Sequence, residues 1–134
     1  MHTASPFPIK QPKDENELIK PAVEGTLAVM KGCQLAKVKR VVVTSSVAAI
    51  MSQAKDHFNH EDWSDVATSS AYEKSKHLAE KAAWDFVAAL PNEEKFEIAT
   101  INPGLITGPN LNKAKFSSGD LVGKFMMGGF PMVP

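Results

Sequence analysis

The sequence predicts an α/β fold built around a parallel sheet, on three observations. Two stretches with apolar residues at helical period, 15–36 and 70–90, alternate with two short strand-like runs, 38–44 and 96–102. Val41-Val42-Val43 is a continuous β-branched run, the pattern of a parallel strand covered on both faces. Each strand breaks into small or hydroxyl-bearing residues, Thr44-Ser45-Ser46 and Asn102-Pro103-Gly104. Ligands of open α/β sheets gather just past such carboxyl ends. With 134 residues the chain is long enough for one domain, 1–134, with its own core.

Residues 1–14 contain Pro6, Pro8 and Pro12 and read as an extended loop. The helix 15–36 follows, with Leu18, Ile19, Ala22, Val23, Thr26, Leu27, Met30 and Cys33 on one face. Pro21 interrupts it, so a short leading turn is expected, then a main helix with Pro21 in its first turn. Cys33 is the sole cysteine, which excludes an internal disulfide, fits a reducing compartment, and on an apolar face reads as a small core residue. After the strand 38–44, residues 51–68 form a long polar loop of the kind that often lines a site. His57-x-x-His60 within it lacks a second strong ligand pair, so it reads as solvated loop and no metal is expected.

Ser70-x-x-Glu73 has the form of a capping box that opens the second helix. Leu78, Ala79, Ala82, Ala83, Phe86, Val87 and Leu90 give that helix a sheet-packing stripe, and Pro91-Asn92 ends it. The strand 96–102 leads into Pro103-Gly104-Leu105-Ile106-Thr107-Gly108-Pro109, whose glycines permit close approach of backbone to a ligand. A short helix begins near Ser117 or Ser118 and runs to Met127, ended by Gly128, Gly129 and Pro131.

Composition narrows the function. Fifteen basic residues balance fifteen acidic ones, so no net charge points to nucleic acid or an acidic membrane. No apolar run approaches the ~20 residues that span a bilayer, and the first residues lack the pattern of a signal peptide. The expectation is a cytoplasmic protein.

The chemistry centres on Tyr72-Glu73-Lys74-Ser75-Lys76. A tyrosine and a lysine four residues apart share one helical face, one turn apart. A free phenol titrates near ~10 and exchanges protons poorly at neutral pH, and a neighbouring ammonium favours its ionised form. Such a pair can pass a proton to or from an alcohol or carbonyl oxygen. Tyr-x-x-x-Lys alone is common by chance; the two strand ends on either side give it weight.

The order His2-Thr3-Ala4-Ser5-Pro6, Thr44-Ser45-Ser46, Tyr72-x-x-x-Lys76 and Asn102-Pro103-Gly104 resembles the extended short-chain dehydrogenase/reductases, whose domain is also described as NAD-dependent epimerase/dehydratase. Within them it is most similar to the dihydroflavonol reductase and cinnamoyl-CoA reductase branch, through Trp63-Ser64-Asp65 and Tyr72-Glu73-Lys74-Ser75-Lys76-x-Leu78-Ala79-Glu80. The resemblance implies part of a Rossmann-like, doubly wound parallel sheet, the C-terminal half of a dinucleotide domain. It implies an NADP- or NAD-dependent oxidoreductase acting on a ketone or aldehyde, or on the alcohol in reverse. Tyr72 then corresponds to the general acid/base. Lys76 corresponds to the residue that holds the nicotinamide ribose hydroxyls. Ser46, with Ser45 as the alternative, corresponds to the serine that hydrogen-bonds the reacting oxygen. Thr3, Ala4 and Ser5 match a loop along the cofactor, Pro103, Gly104, Leu105 and Ile106 a segment at the nicotinamide, and Ser118 a later cofactor contact. Steroid dehydrogenase or nucleotide-sugar epimerase specificity on the same machinery stays open.

The family's opening strand, Gly-x-x-Gly-x-x-Gly turn and helix do not occur in this sequence. The expectation is therefore an internal segment of a reductase roughly two to three times this length. Two consequences follow. The strand 38–44 is expected to present an open edge, making the isolated chain marginally stable and prone to self-association. A catalytically inactive product that pairs with full-length subunits, through helices like 15–36 and 70–90, stands as the alternative to an active enzyme.

Overall fold

The computed structural model describes residues 1–3, 5, 12–51, 55–108 and 117–129. They fall into two units, Met1–Gly104 and Leu105–Pro134.

In the first unit α1 (Asn16–Leu35) precedes β1 (Arg40–Thr44), a 3₁₀ turn (Val47–Ala49), α2 (Ala71–Ala89), a second 3₁₀ turn (Asn92–Glu94) and β2 (Glu97–Ile101). The strands pair in parallel, with Val41 opposite Ile98 and Val43 opposite Thr100. Met30, Val41, Val43, Ala83, Val87 and Phe96 form the core, with Met30 at 0% exposure. Both helices thus cover the sheet face that carries Val41 and Val43. Each such side chain stabilises the fold by about 1.5–3 kcal/mol relative to leaving it in water.

Three expectations change. First, α1 is continuous from Asn16, with Pro21 in its interior rather than in its first turn. The Asp14 carboxylate accepts from the Asn16 backbone at 2.9 Å, and the carbonyls of Asp14 and Glu15 accept from Glu17 and Leu18 at 3.1 Å each. The leading turn is therefore satisfied and runs on into the helix. Proline forfeits only the bond to the Glu17 carbonyl four residues back, and Glu17 is exposed to water.

Second, the sheet is covered on one face among the described residues. Val42 is half-buried, and Ala99 and Ile101 are exposed, Ile101 at 51%. A β-branched run reports that a strand is apolar; it does not report how many layers the chain supplies.

Third, the edge of β1 away from β2 is not wholly open: among the described residues a single bridge at His2 meets its last residues. His2 donates its N–H to the Val42 carbonyl and accepts from the Thr44 N–H, both at 2.8 Å, while β2 lines the other edge. The residues just before the proline-rich stretch keep their backbone donors and supply the pairing.

In the second unit α3 (Ser117–Met126) is followed by Gly128 at φ 70°, a left-handed position that glycine takes without strain. The Gly129 N–H closes the helix on the Lys124 carbonyl at 2.8 Å. No helix of the described residues is long and apolar enough to cross a membrane.

Candidate active site

The site is built on the first turns of α2. Ser70 caps the helix: its hydroxyl accepts from the Glu73 N–H at 3.4 Å, and the Glu73 carboxylate accepts from the Ser70 N–H at 2.6 Å. Lys74 pairs with Glu15 at 2.7 Å, tying this end of α2 to the start of α1. Tyr72 is thereby held in the first turn and Lys76 one turn later. The Lys76 ammonium lies 5.5 Å from the centre of the Tyr72 ring, within cation–π range. Burial lowers the Lys76 pKa from its ordinary value, because a partly desolvated ammonium loses hydration.

Lys76 faces the carboxyl end of β1 across a cavity of about 10 Å³, lined also by His2, Ser5, Thr44, Ser45 and Glu80. That is room for one water-sized group. The hydroxyl oxygens of Ser5 and Ser45 are buried without a hydrogen-bond partner among the described residues. Each such buried hydroxyl costs roughly 1–3 kcal/mol until a partner arrives. His2, whose Nε2 is 3.4 Å from the Thr26 hydroxyl, has a lowered pKa, first from burial, then from Lys76 and the N-terminal ammonium.

Ser46 is placed differently. It caps the 3₁₀ turn, and its hydroxyl oxygen accepts from the Ala48 N–H at 3.2 Å. Its neighbours are fixed to the end of β2: Ser45 N–H donates to the Ile101 carbonyl at 2.8 Å, and Val47 N–H to the Pro103 carbonyl at 3.0 Å. The structure thus brings together Tyr72 with Lys76, and Lys76 with Ser5 and Ser45.

Of the remaining sequence-predicted positions, Thr3 is exposed and Ala4 lies outside the described residues. Pro103 is half-buried and Gly104 exposed, with open space where a Cβ would stand. Leu105, Ile106 and Ser118 belong to the second unit: the first two are exposed, and Ser118 is the second residue of α3.

Two groups that sequence reasoning did not single out also stand here. The Asn102 amide donates to the Glu80 carboxylate at 2.8 Å and to the Ser46 carbonyl at 3.1 Å. The available signal was spacing: Tyr72, Lys76 and Glu80 follow one another at four-residue intervals on one face. Ser64 of the long loop and His77 of α2 are buried and share a hydrogen bond of 3.1 Å between Oγ and Nδ1, and the Trp63 ring lies 5.0 Å from the imidazole. No three of His, Cys, Asp and Glu gather as a metal site among the described residues. A groove of about 790 Å³ lies at the opposite end of the strands beside Val38 and Phe96, away from these groups.

Residues 1–119 match the 3-beta hydroxysteroid dehydrogenase/isomerase family. The chain belongs to that family. It is 37% identical over 126 residues to the NADPH-dependent methylglyoxal reductase GRE2 of Saccharomyces cerevisiae, covering 83% of this chain and 37% of that protein. It is 40% identical over 118 residues to dihydroflavonol 4-reductase of Arabidopsis thaliana, covering 81% of this chain and 30% of that one. Among solved structures, yeast methylglyoxal/isovaleraldehyde reductase Gre2 complexed with NADPH superposes with a TM-score of 0.80 at 35% identity, over 94% of this chain and 43% of that chain. The fold class is therefore the Rossmann-type α/β fold of these reductases. The chain spans less than half the length of the relatives it matches.

Proposed function

We propose that this chain carries the proton-transfer half of an NADP(H)- or NAD(H)-dependent reductase site for ketones or aldehydes, of the dihydroflavonol reductase-like type. The observation that carries the reading is the cavity of Lys76, Ser5 and Ser45. It sets one partly desolvated ammonium and two unpartnered buried hydroxyls around a space for one hydroxyl-sized group, one helical turn from a phenol. That donor set fits a polyhydroxylated ligand such as a nicotinamide ribose, and the NADPH complex of the yeast relative supports NADP(H) over NAD(H).

When bound, the nicotinamide supplies the hydride. Lys76 holds ribose hydroxyls and keeps positive charge beside the phenol. Tyr72 gives its proton to the substrate oxygen in reduction and takes it back in oxidation. Ser46 donates a hydrogen bond to the same oxygen and keeps its proton, with Ser45 as the second candidate. The family resemblance supports assigning Thr3, Ala4, Ser5, Pro103 and Gly104 to cofactor binding, and separately Leu105, Ile106 and Ser118 of the second unit. The methylglyoxal and dihydroflavonol reductases among the relatives favour a small carbonyl substrate over a steroid or a nucleotide sugar.

Titration of the purified chain with NADPH is the first test. Saturable binding is expected; its absence would favour the reading in which the chain acts only as a partner of a longer subunit. In a polypeptide that contains this segment and turns over a carbonyl substrate, Tyr72→Phe should lower kcat by about 10²–10⁴ while NADPH affinity stays the same. Unchanged turnover would remove Tyr72 from the role.

A further inference from the structure

We infer that Glu80 is a positioning residue, which through Asn102 holds the Ser45–Ser46 turn against the helix that carries Tyr72 and Lys76. The inference rests on the reductase reading for its consequence, and on the geometry alone for its first test.

Glu80 is a carboxylate at 5% exposure, with no ion pair among the described residues. A buried carboxylate is costly unless hydrogen-bonded, so its partner is structurally committed. That partner is Asn102. The Ser46 carbonyl that faces the Asn102 amide nitrogen can only accept, which fixes the orientation of the amide. One N–H therefore goes to α2 and the other to the hydroxyl turn. The turn is also bonded to the end of β2 through Ser45 and Val47. Glu80 gives α2 a hydrogen bond into this cluster, one turn beyond Lys76, and it lines the same cavity as Lys76 and Ser45. A directed bond of 2.8 Å adds a constraint on the position of α2 relative to the turn. A small misplacement at a reacting centre is costly in rate, which is what such a link prevents.

The test is amide hydrogen exchange on the 134-residue chain, read at Ser45, Val47 and Ala49, with Val41–Val43 and Ala83–Val87 as the control for global folding. Glu80→Leu should speed exchange at the three turn amides by about tenfold or more, the loss of one buried hydrogen bond, with the control amides unchanged. Glu80→Gln keeps an acceptor toward Asn102 and should retain protection. Glu80→Gln with Asn102→Asp re-forms the 80–102 bond in reverse but leaves the Ser46 carbonyl without its donor, so the turn should stay fast. Recovery of protection in that double variant, or equal acceleration of turn and control amides in Glu80→Leu, would overturn the inference. None of these readouts needs cofactor or turnover, so a failed reductase reading leaves the outcome intact. In a polypeptide with turnover, Glu80→Leu should lower kcat without weakening NADPH binding. Loss of both in equal measure would mark the residue as merely structural.

Discussion

The Lys76 ammonium sits 5.5 Å from the centre of the Tyr72 ring, held there because both side chains project from consecutive turns of one capped helix. The contact is worth about 0.5–2 kcal/mol in isolation. Burial nevertheless lowers the lysine pKa, so the net environment disfavours its charge. The unfolded chain then holds more protons between the lowered value and 10.5, and stability rises with pH across that window. Near neutral pH the fold bears the desolvation cost. Lys76→Met keeps the aliphatic stem and removes that cost. Its Tm should equal or exceed the wild-type value, while NADPH affinity falls at least about tenfold. A lower Tm would mean that the lysine serves the fold rather than a ligand.

His2 predicts the behaviour in mild acid. Its backbone pairs with β1, while its ring is desolvated and faces Lys76 and the N-terminal ammonium, which together lower its pKa from 6.5. Between 6.5 and the lowered value the unfolded chain binds the extra proton, so stability is lost as pH falls through that window. The ring is only partly buried, and solvent screening keeps the loss below about 1 kcal/mol. Melting curves at descending pH should show the wild type losing more stability than His2→Leu. Parallel curves would show that the ring contributes nothing.

The Ser70–Glu73 box fixes the turn that carries Tyr72. Ser70→Ala should cost about 1 kcal/mol of global stability and accelerate exchange of the Glu73 and Lys74 amides more than that of amides late in α2. A uniform change along the helix would mean that the cap does not hold the turn in place.

Much of this was legible in the sequence because the deciding interactions are local. The capping box, the apolar stripe of α2 and the Tyr72–Lys76 spacing all lie within one or two helical turns. The bridge between His2 and β1 was not legible, since the partners lie about forty residues apart and a proline-rich stretch intervenes. Nor was the Asn102 bridge: Glu80 reads as an ordinary polar position of an amphipathic helix until the fold buries it. Ser45 and Ser46 show the resolution limit most plainly. Adjacent hydroxyls are equivalent as letters, yet backbone geometry directs one to cap a 3₁₀ turn and leaves the other unpartnered beside Lys76.

The exposed side of the sheet sets the solution behaviour of the isolated chain. β2 pairs on one edge only, with β1, in the two-stranded sheet of the described residues, and its Ala99 and Ile101 face water on the uncovered layer next to half-buried Val42. An apolar strand with unpaired backbone groups is a template for pairing with a second copy. Sedimentation velocity should therefore show concentration-dependent association of the 134-residue chain. Ala99→Lys places a charge on that layer at an exposed site, so it should reduce association while changing stability by no more than about 0.5 kcal/mol. The same charge on the covered layer, as in Val43→Lys, should instead unfold the unit. A monomer with a cooperative transition at every concentration would show that the exposed layer is not adhesive, and a variant that associates as readily as the wild type would place the contact elsewhere.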